Sequence, residues 1–270
     1  RYGKYARQMA DEILSMRDAG TLRISHHIHL RAEICSETLA EELDEFSEAD
    51  RVGIVSMMDH TPGQRQFSDL QKYKDYVCGK HGLDQAGFDD YVRFLHGLQA
   101  QLGTKHEAAT VAAAARYGAT LASHDDTTKD QVTVSHTHGV TLAEFPTTIE
   151  AADACHANGI ATIMGAPNLV RGGSHSGNVA ALDLALQNRL DILSSDYVPA
   201  ALLMGAVQLG EVWGDMARGL ATVSRNPARS VGLEDRGLLQ PGLRADVIRF
   251  AVMDSTPVLR GSWSAGQQVA

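Results

Sequence analysis

Cysteine is scarce in this chain: Cys35, Cys78 and Cys155 are all there is among 270 residues. They are odd in number, widely spaced and form no CxxC pair. Neither a disulfide framework nor a cysteine zinc site is expected, and a reducing cytoplasm is the expected setting. Basic blocks are missing as well. Lys+Arg number 24 against 33 Asp+Glu, a formal net charge of −9, which argues against general nucleic-acid binding. No apolar run approaches the ~18 residues that a membrane helix requires. A GxSxG elbow and a Walker A loop are both lacking, which argues against a covalent serine mechanism and a P-loop. No solenoid-length repeat and no low-complexity tract occurs. Nor does a signal-peptide pattern open the chain. It starts at Arg1 inside what reads as a mid-domain helix, so an N-terminally incomplete sequence is expected.

What is present is enough apolar content, 44%, for a sizeable core in one large domain with a small appendage. Tyr5, Met9, Ile13 and Met16 repeat at helical spacing over 4–18, and Gly20 reads as the cap. A strand over 22–33 follows. Ile28, Leu30 and Ala32 share one parity and His27, His29, Arg31 and Glu33 the other. A wholly polar strand face points to a site or a solvated interior. Next come a helix over 36–46, a strand over 52–59 ending at Asp59-His60, and the turn Thr61-Pro62-Gly63. An insertion over 64–101 reads as two amphipathic helices parted by glycines at 79 and 82, expected to act as a flap. Thr104 and Glu107 read as a capping box that opens a separate alanine-rich helix, ended by Gly118.

Strands over 119–123, 140–145, 160–164 and 190–195 then alternate with helices over 127–138, 147–158 and 179–187, the second opened by a capping box at Thr147 and Glu150. Helix, glycine and short apolar strand in rotation mean parallel β/α units. Polar residues gather at almost every strand's C-terminal end, which favours a (β/α)8 barrel over an open doubly wound sheet with one switch point. Two helices after Asp196, a short one from Asn226-Pro227 and a strand over 246–250 read as an exit into a small β appendage.

Four strand-end residues could hold a metal: Glu33, His60, His124 and Asp196. Neutral imidazole with carboxylate suits zinc or a similar divalent ion. Asp196 has a second possible role as general base toward a water. Glu144 is either a ligand or a partner of one. His27 and His29 read as interior residues, while His26, His81, His96, His106, His136 and His156 read as surface or packing residues. The stretch GAPNLVRGGSHSGN, from Gly165 to Asn178, reads as a Gly-rich loop whose backbone N–H groups and Arg171 suit an anion.

The motifs HLRAE, SMMDHTPGQRQF, ASHDD, AEFPTT, MGAPNLVRGGSHSGN and LSSDY together resemble, in order, one family: the α-D-ribose 1-methylphosphonate 5-triphosphate diphosphatases of the carbon–phosphorus lyase pathway, within the amidohydrolase superfamily. The tail NPARSVGLEDRG…PGLRADV is similar to that superfamily's exit from barrel to β-sandwich. The resemblance covers nearly the whole chain. It implies a (β/α)8-type barrel over 1–236, lacking at least its first two strands, and part of a small β-sandwich over 237–270. It implies a cytoplasmic hydrolase with one or two divalent ions, zinc being favoured, that cleaves a phosphorylated ribose to the 5-phosphate and pyrophosphate. It involves no nucleic acid or membrane, and a homo-oligomer is compatible with it.

Carried over, Glu33, His60, His124 and Asp196 would hold metal, with Asp196 also the base. Arg171, Gly172, Gly173, Ser174 and His175 would hold phosphates. Arg65 either reaches the same triphosphate or is a surface residue at a helix start. The superfamily's first-strand His pair has no counterpart ahead of HLRAE. A deaminase or cyclic-amide hydrolase, and an inactive fragment or interaction scaffold, are the alternatives.

Overall fold

The computed structural model describes residues 5–174 and 177–270, apart from the side chains of Tyr76, Lys80 and His81. By their contacts the residues fall into two units, Arg1–Ala10 with His27–Ala154, and Asp11–His26 with Cys155–Ala270. The expected boundary near 236 stays a proposal. Helix α1 (Ala6–Asp18) forms where the spacing predicts it. Its burial differs from expectation. Tyr5, Met9 and Met16 are exposed and Ala10 is buried. Arg7 does the anchoring instead, pairing with Asp50 at 3.0 Å and lying 4.5 Å over the Phe46 ring.

The first unit carries β1 (Ile28–Glu33), α2 (Leu39–Asp44), β2 (Val52–Met58), α3 (Leu70–His81), α4 (Gln85–Tyr117), β3 (Thr120–His124), α5 (Lys129–Thr137) and β4 (Leu142–Glu144). The four strands pair in sequence order and in parallel. The register sets Glu33 beside Met58 and His124 beside Glu144. On β1 the alternation is as predicted: Ile28, Leu30 and Ala32 are buried, while His29 and Arg31 are open. Ser56 and Val55 are sealed on β2, and Ala122 on β3.

The insertion differs from its reading. Thr104 opens no helix, because α4 runs unbroken for 33 residues, about 50 Å at ~1.5 Å per residue. Its actual start is Asp84, whose carboxylate accepts from the Gly87 N–H, and Gly118 closes it in the left-handed conformation at φ 65°. Thr104 and Glu107 lie mid-helix, where backbone N–H groups already have intrahelical partners and a capping side chain has nothing to satisfy. Phe67, Tyr73, Val77, Phe88 and Leu95 pack α3, α4 and the preceding turn together around Cys35.

Helix α6 (Ile149–Ala157) leads into the second unit. There, β5 (Ala161–Gly165) pairs in parallel with β6 (Ile192–Ser194). Between them lie α7 (Ala166–Arg171) and α8 (Ala181–Leu186), then α9 (Ala201–Trp213), α10 (Met216–Ala221) and α11 (Arg225–Ser230) follow. Gly219 lets α10 approach α9 closely: a Cβ there would lie 2.4 Å from the Ala206 carbonyl oxygen. Strands β7 (Val247–Met253), β8 (Thr256–Ser264) and β9 (Gln267–Gln268) make a separate antiparallel sheet. The chain is thus α/β, with parallel β/α units and a small antiparallel sheet after them. Its three cysteines are free. No described helix is long and apolar enough to cross a membrane.

Candidate metal centre

The ends of β1, β2, β3 and β4 in the first unit bring polar side chains together. Glu33 closes β1, and His60 lies two residues past β2. The Glu33 Oε2 is 2.5 Å from His60 Nδ1, and its Oε1 accepts from the backbone N–H groups of His60 (3.1 Å) and Cys35 (3.2 Å). Glu33 therefore orients His60, with both its oxygens engaged. Phe67 backs the same ring at a centroid distance of 5.7 Å. On β3, His124 Nδ1 meets Glu144 Oε2 at 3.0 Å, so the last residue of β4 fixes the last of β3. With each Nδ1 held by a carboxylate, the two Nε2 atoms are directed to a common point. Asp125 Oδ2 stands there, 3.8 Å from His60 Nε2 and 3.4 Å from His124 Nε2.

His60, His124 and Asp125 are a group whose ligand atoms all lie within 4.8 Å of one another. The donors fit a divalent cation. Two imidazoles and a carboxylate suit zinc and its neighbours, and a carboxylate behind each imidazole is the usual way a metal-binding His is oriented. Asp125 Oδ2 is moreover buried with no hydrogen-bond partner among the described residues, and such an atom calls for a positive partner. Burial raises the Asp125 carboxyl, against the pull of His124 and His60. At His60, burial acts downward, but the hydrogen bond and charge of Glu33 outweigh it, so the ring is held above its ordinary value. At Glu144 burial acts upward and is outweighed by the hydrogen bond from His124 and the charge of His29. His29 is lowered, chiefly by burial; its Nε2 lies 2.6 Å from Ser56 Oγ and 3.7 Å from Glu144 Oε1. It is thus hydrogen-bonded to Ser56.

Asp125 was not singled out in the sequence. It follows β3 directly and takes φ 56°, a left-handed conformation that Asp tolerates better than most residues. That turn aims its carboxylate in a direction which strand alternation does not give. Among the described residues the three-residue group contains neither Glu33 nor Asp196. Asp196 stands where expected, two residues past β6 and exposed. It also has a left-handed φ of 48°, and its N–H donates to Ser194 Oγ at 3.1 Å.

Arg65 opens a short 3-10 helix, Arg65–Phe67, as a helix-start residue would, but its side chain is mostly buried. Its Nη1 donates to Asp126 Oδ1 at 2.6 Å and to the His124 carbonyl at 2.9 Å, and Asp126 is almost fully buried. It clamps the turn after β3. The Gly-rich stretch is also different from its reading as a loop. Its first half is α7, with Pro167 in the first turn, where a missing N–H is harmless. Gly172 takes φ 80°. Its N–H and that of Gly173 donate to the carbonyls of Leu169 (3.1 Å) and Asn168 (2.9 Å), so they close the helix rather than stand open to an anion. Arg171 is exposed and donates to the Tyr197 hydroxyl at 3.2 Å. His175, with Ser176, lies outside the described residues.

No protein-family model matches the chain. It is 39% identical over 265 residues to the α-D-ribose 1-methylphosphonate 5-triphosphate diphosphatase of Escherichia coli (strain K12), spanning 97% of this chain and 70% of that protein. Among solved structures it is similar to a prolidase complexed with N-methylphosphonate-L-proline, at 14% identity and a TM-score of 0.49 over 90% of this chain and 85% of the other. It is also similar to the L-hydantoinase of Arthrobacter aurescens, at 14% identity and a TM-score of 0.43 over 97% and 67%. The sequence match to the diphosphatase runs through the strand ends that bear Glu33, His60, His124 and Glu144, and on its identity and extent the chain belongs to the α-D-ribose 1-methylphosphonate 5-triphosphate diphosphatase family of hydrolases.

Proposed function

We propose that this protein hydrolyses α-D-ribose 1-methylphosphonate 5-triphosphate to the 5-phosphate and pyrophosphate, with a divalent ion, zinc being the favoured one. The 39% identity over 97% of the chain carries the reading. The donor set of His60, His124 and Asp125 supports it. These three would hold the ion, with Glu33 and Glu144 orienting the two imidazoles. A divalent ion so held supplies Lewis acidity toward a phosphoryl oxygen and makes a water more acidic. The remaining work is positioning and charge neutralisation, the usual needs of phosphoryl transfer. Asp196 is proposed to take the proton of the attacking water, and Arg171 with Ser174 to bind phosphate.

The test is release of pyrophosphate from the triphosphate by the purified chain, with metal content measured alongside. Activity should be lost on chelation and restored by a divalent ion. His60→Asn and His124→Ala should each bind less metal and lose at least about a thousandfold in kcat, since electrostatic stabilisation of this kind is among the largest catalytic contributions. Unchanged metal content in both variants would remove these residues as ligands. Release of ammonia from an amide or amine, with no pyrophosphate from the triphosphate, would replace this reading by a deaminase or cyclic-amide hydrolase.

A further inference from the structure

Two arginines of the first unit, Arg31 on β1 and Arg65 after β2, stand on the segments that bear Glu33 and His60, and the structure uses them differently. Arg65 is tied down through Nη1, which bonds both the buried Asp126 and the His124 carbonyl. Arg31 is not. It sits mid-strand on β1, on the same open face as His29 and Glu33, with Ser56 as its register partner on β2. Its side chain is exposed. Its Nε donates to the Met58 thioether at 3.1 Å, a weak acceptor. No carboxylate pairs with it among the described residues, although Glu33, Asp125 and Glu144 all belong to the surrounding cluster.

The neighbours on either side of Arg31 lead into the metal group from two directions. Glu33 holds His60, and His29 lies 3.7 Å from Glu144, which holds His124. We infer that Arg31 is a substrate-binding residue, its terminal guanidinium nitrogens taking the phosphate oxygens that face the His60–His124–Asp125 group. This deepens the proposed function and rests on it. The chemistry is consistent on three counts. A guanidinium fork matches two oxygens of one phosphoryl group. A thioether contact steadies the stem without consuming the charge. Three carboxylates around the site would repel a triphosphate unless a cation besides the ion faced it.

The experiment uses the full chain loaded with its divalent ion. Inorganic phosphate is titrated calorimetrically into wild type, Arg31→Gln, Arg31→Lys and, as a control in the second unit, Arg249→Gln. kcat/KM on the ribose triphosphate is measured in parallel, with metal content and Tm recorded for each. Arg31→Gln should bind phosphate about tenfold to hundredfold more weakly and lose a similar factor in kcat/KM, with metal content and Tm as in wild type. Arg31→Lys, which keeps the charge and loses the fork, should fall between the two, and Arg249→Gln should match wild type. Wild-type phosphate affinity in Arg31→Gln overturns the assignment, and so does a loss of bound metal, which would make Arg31 a structural part of the metal site. A wild type that neither binds phosphate nor hydrolyses the triphosphate fails the proposed function itself, which separates the two failures.

Discussion

Arg65 and Arg171 each follow a strand of the same β/α pattern, and each reads in sequence as a cation for phosphate. Their surroundings differ entirely. At the ends of β1 to β4, in the first unit, polar side chains bond across neighbouring strands: Arg65 to Asp126, His124 to Glu144, His60 to Glu33. After β5, in the second unit, the polar groups are used locally. Asn168 Oδ1 accepts from the Ala181 N–H at 2.9 Å, the N–H groups of Gly172 and Gly173 cap α7, and the exposed Arg171 donates to the hydroxyl of the exposed Tyr197. The first arrangement pre-orients side chains for a cation and resists rearrangement. The second keeps the Arg171 side chain at the exposed surface. Position at a strand end makes a residue available; what it bonds to across the sheet decides whether it is framework or contact.

The largest effect that would break this contrast is at Asp126. Asp126→Ala leaves Arg65 without its carboxylate in a largely buried place. Ser135 Oγ, 3.2 Å from Asp126 Oδ2, also loses its acceptor. Breaking a buried pair from one side costs about 3–5 kcal/mol, to be read as a lower urea midpoint. A loss below about 1 kcal/mol, the scale of an exposed pair, would mean that the clamp is not framework at all. The next effect belongs to the second unit. Arg171→Ala should leave stability and metal content untouched and lower kcat/KM on the triphosphate about tenfold to hundredfold, with a much smaller loss on a monophosphate analogue. Equal losses on both substrates would detach Arg171 from the departing pyrophosphate.

The sequence made the strand ends legible because apolar strands and glycine-capped helices alternate so regularly; Glu33, His60 and His124 could be placed at one group of ends on that ground alone. Asp125 could not, since its direction comes from a left-handed φ that no local pattern encodes. Glu33 was legible as a site residue but not as the partner of His60, because which of two neighbouring polar groups orients the other depends on Å-scale distances between strands. Arg31 sat in plain view on the polar face of β1. Its importance shows only once Arg65 is found engaged with Asp126. At the Gly-rich stretch, glycine content concealed a helix: Pro167 lies in its first turn, where it is tolerated, and Gly172 and Gly177 take the left-handed conformation that glycine permits.

The smallest effect sharpens the comparison at the level of the backbone beneath the site. Two Thr-x-x-Glu/Gln motifs in the first unit look alike in sequence. At Thr128, just past Asp125-Asp126, the hydroxyl accepts from the Gln131 N–H at 3.3 Å, and the Gln131 side chain accepts in return from the N–H of Thr128 (3.2 Å) and of Thr127 (2.7 Å). That box starts α5 and thereby fixes the turn carrying Asp125. At Thr104 the same motif lies inside α4, with Thr104 itself solvent-exposed. Thr128→Ala should therefore cost about 1 kcal/mol, the usual value of a lost N-cap, while Thr104→Ala should be neutral or stabilising by up to about 0.7 kcal/mol, because Ala is the better interior helix residue. Paired urea titrations of the two variants give the answer. If Thr104→Ala proves the more costly, a helix does begin there, α4 is two helices in solution, and the rigid strut that the unbroken helix lends the first unit is lost with it. If Thr128→Ala costs nothing, the Asp125 turn is held without the box, by the Arg65 clamp together with the Asp125 N–H bond to the Glu144 carbonyl, and the Asp126 variant should then disturb metal binding as well as stability.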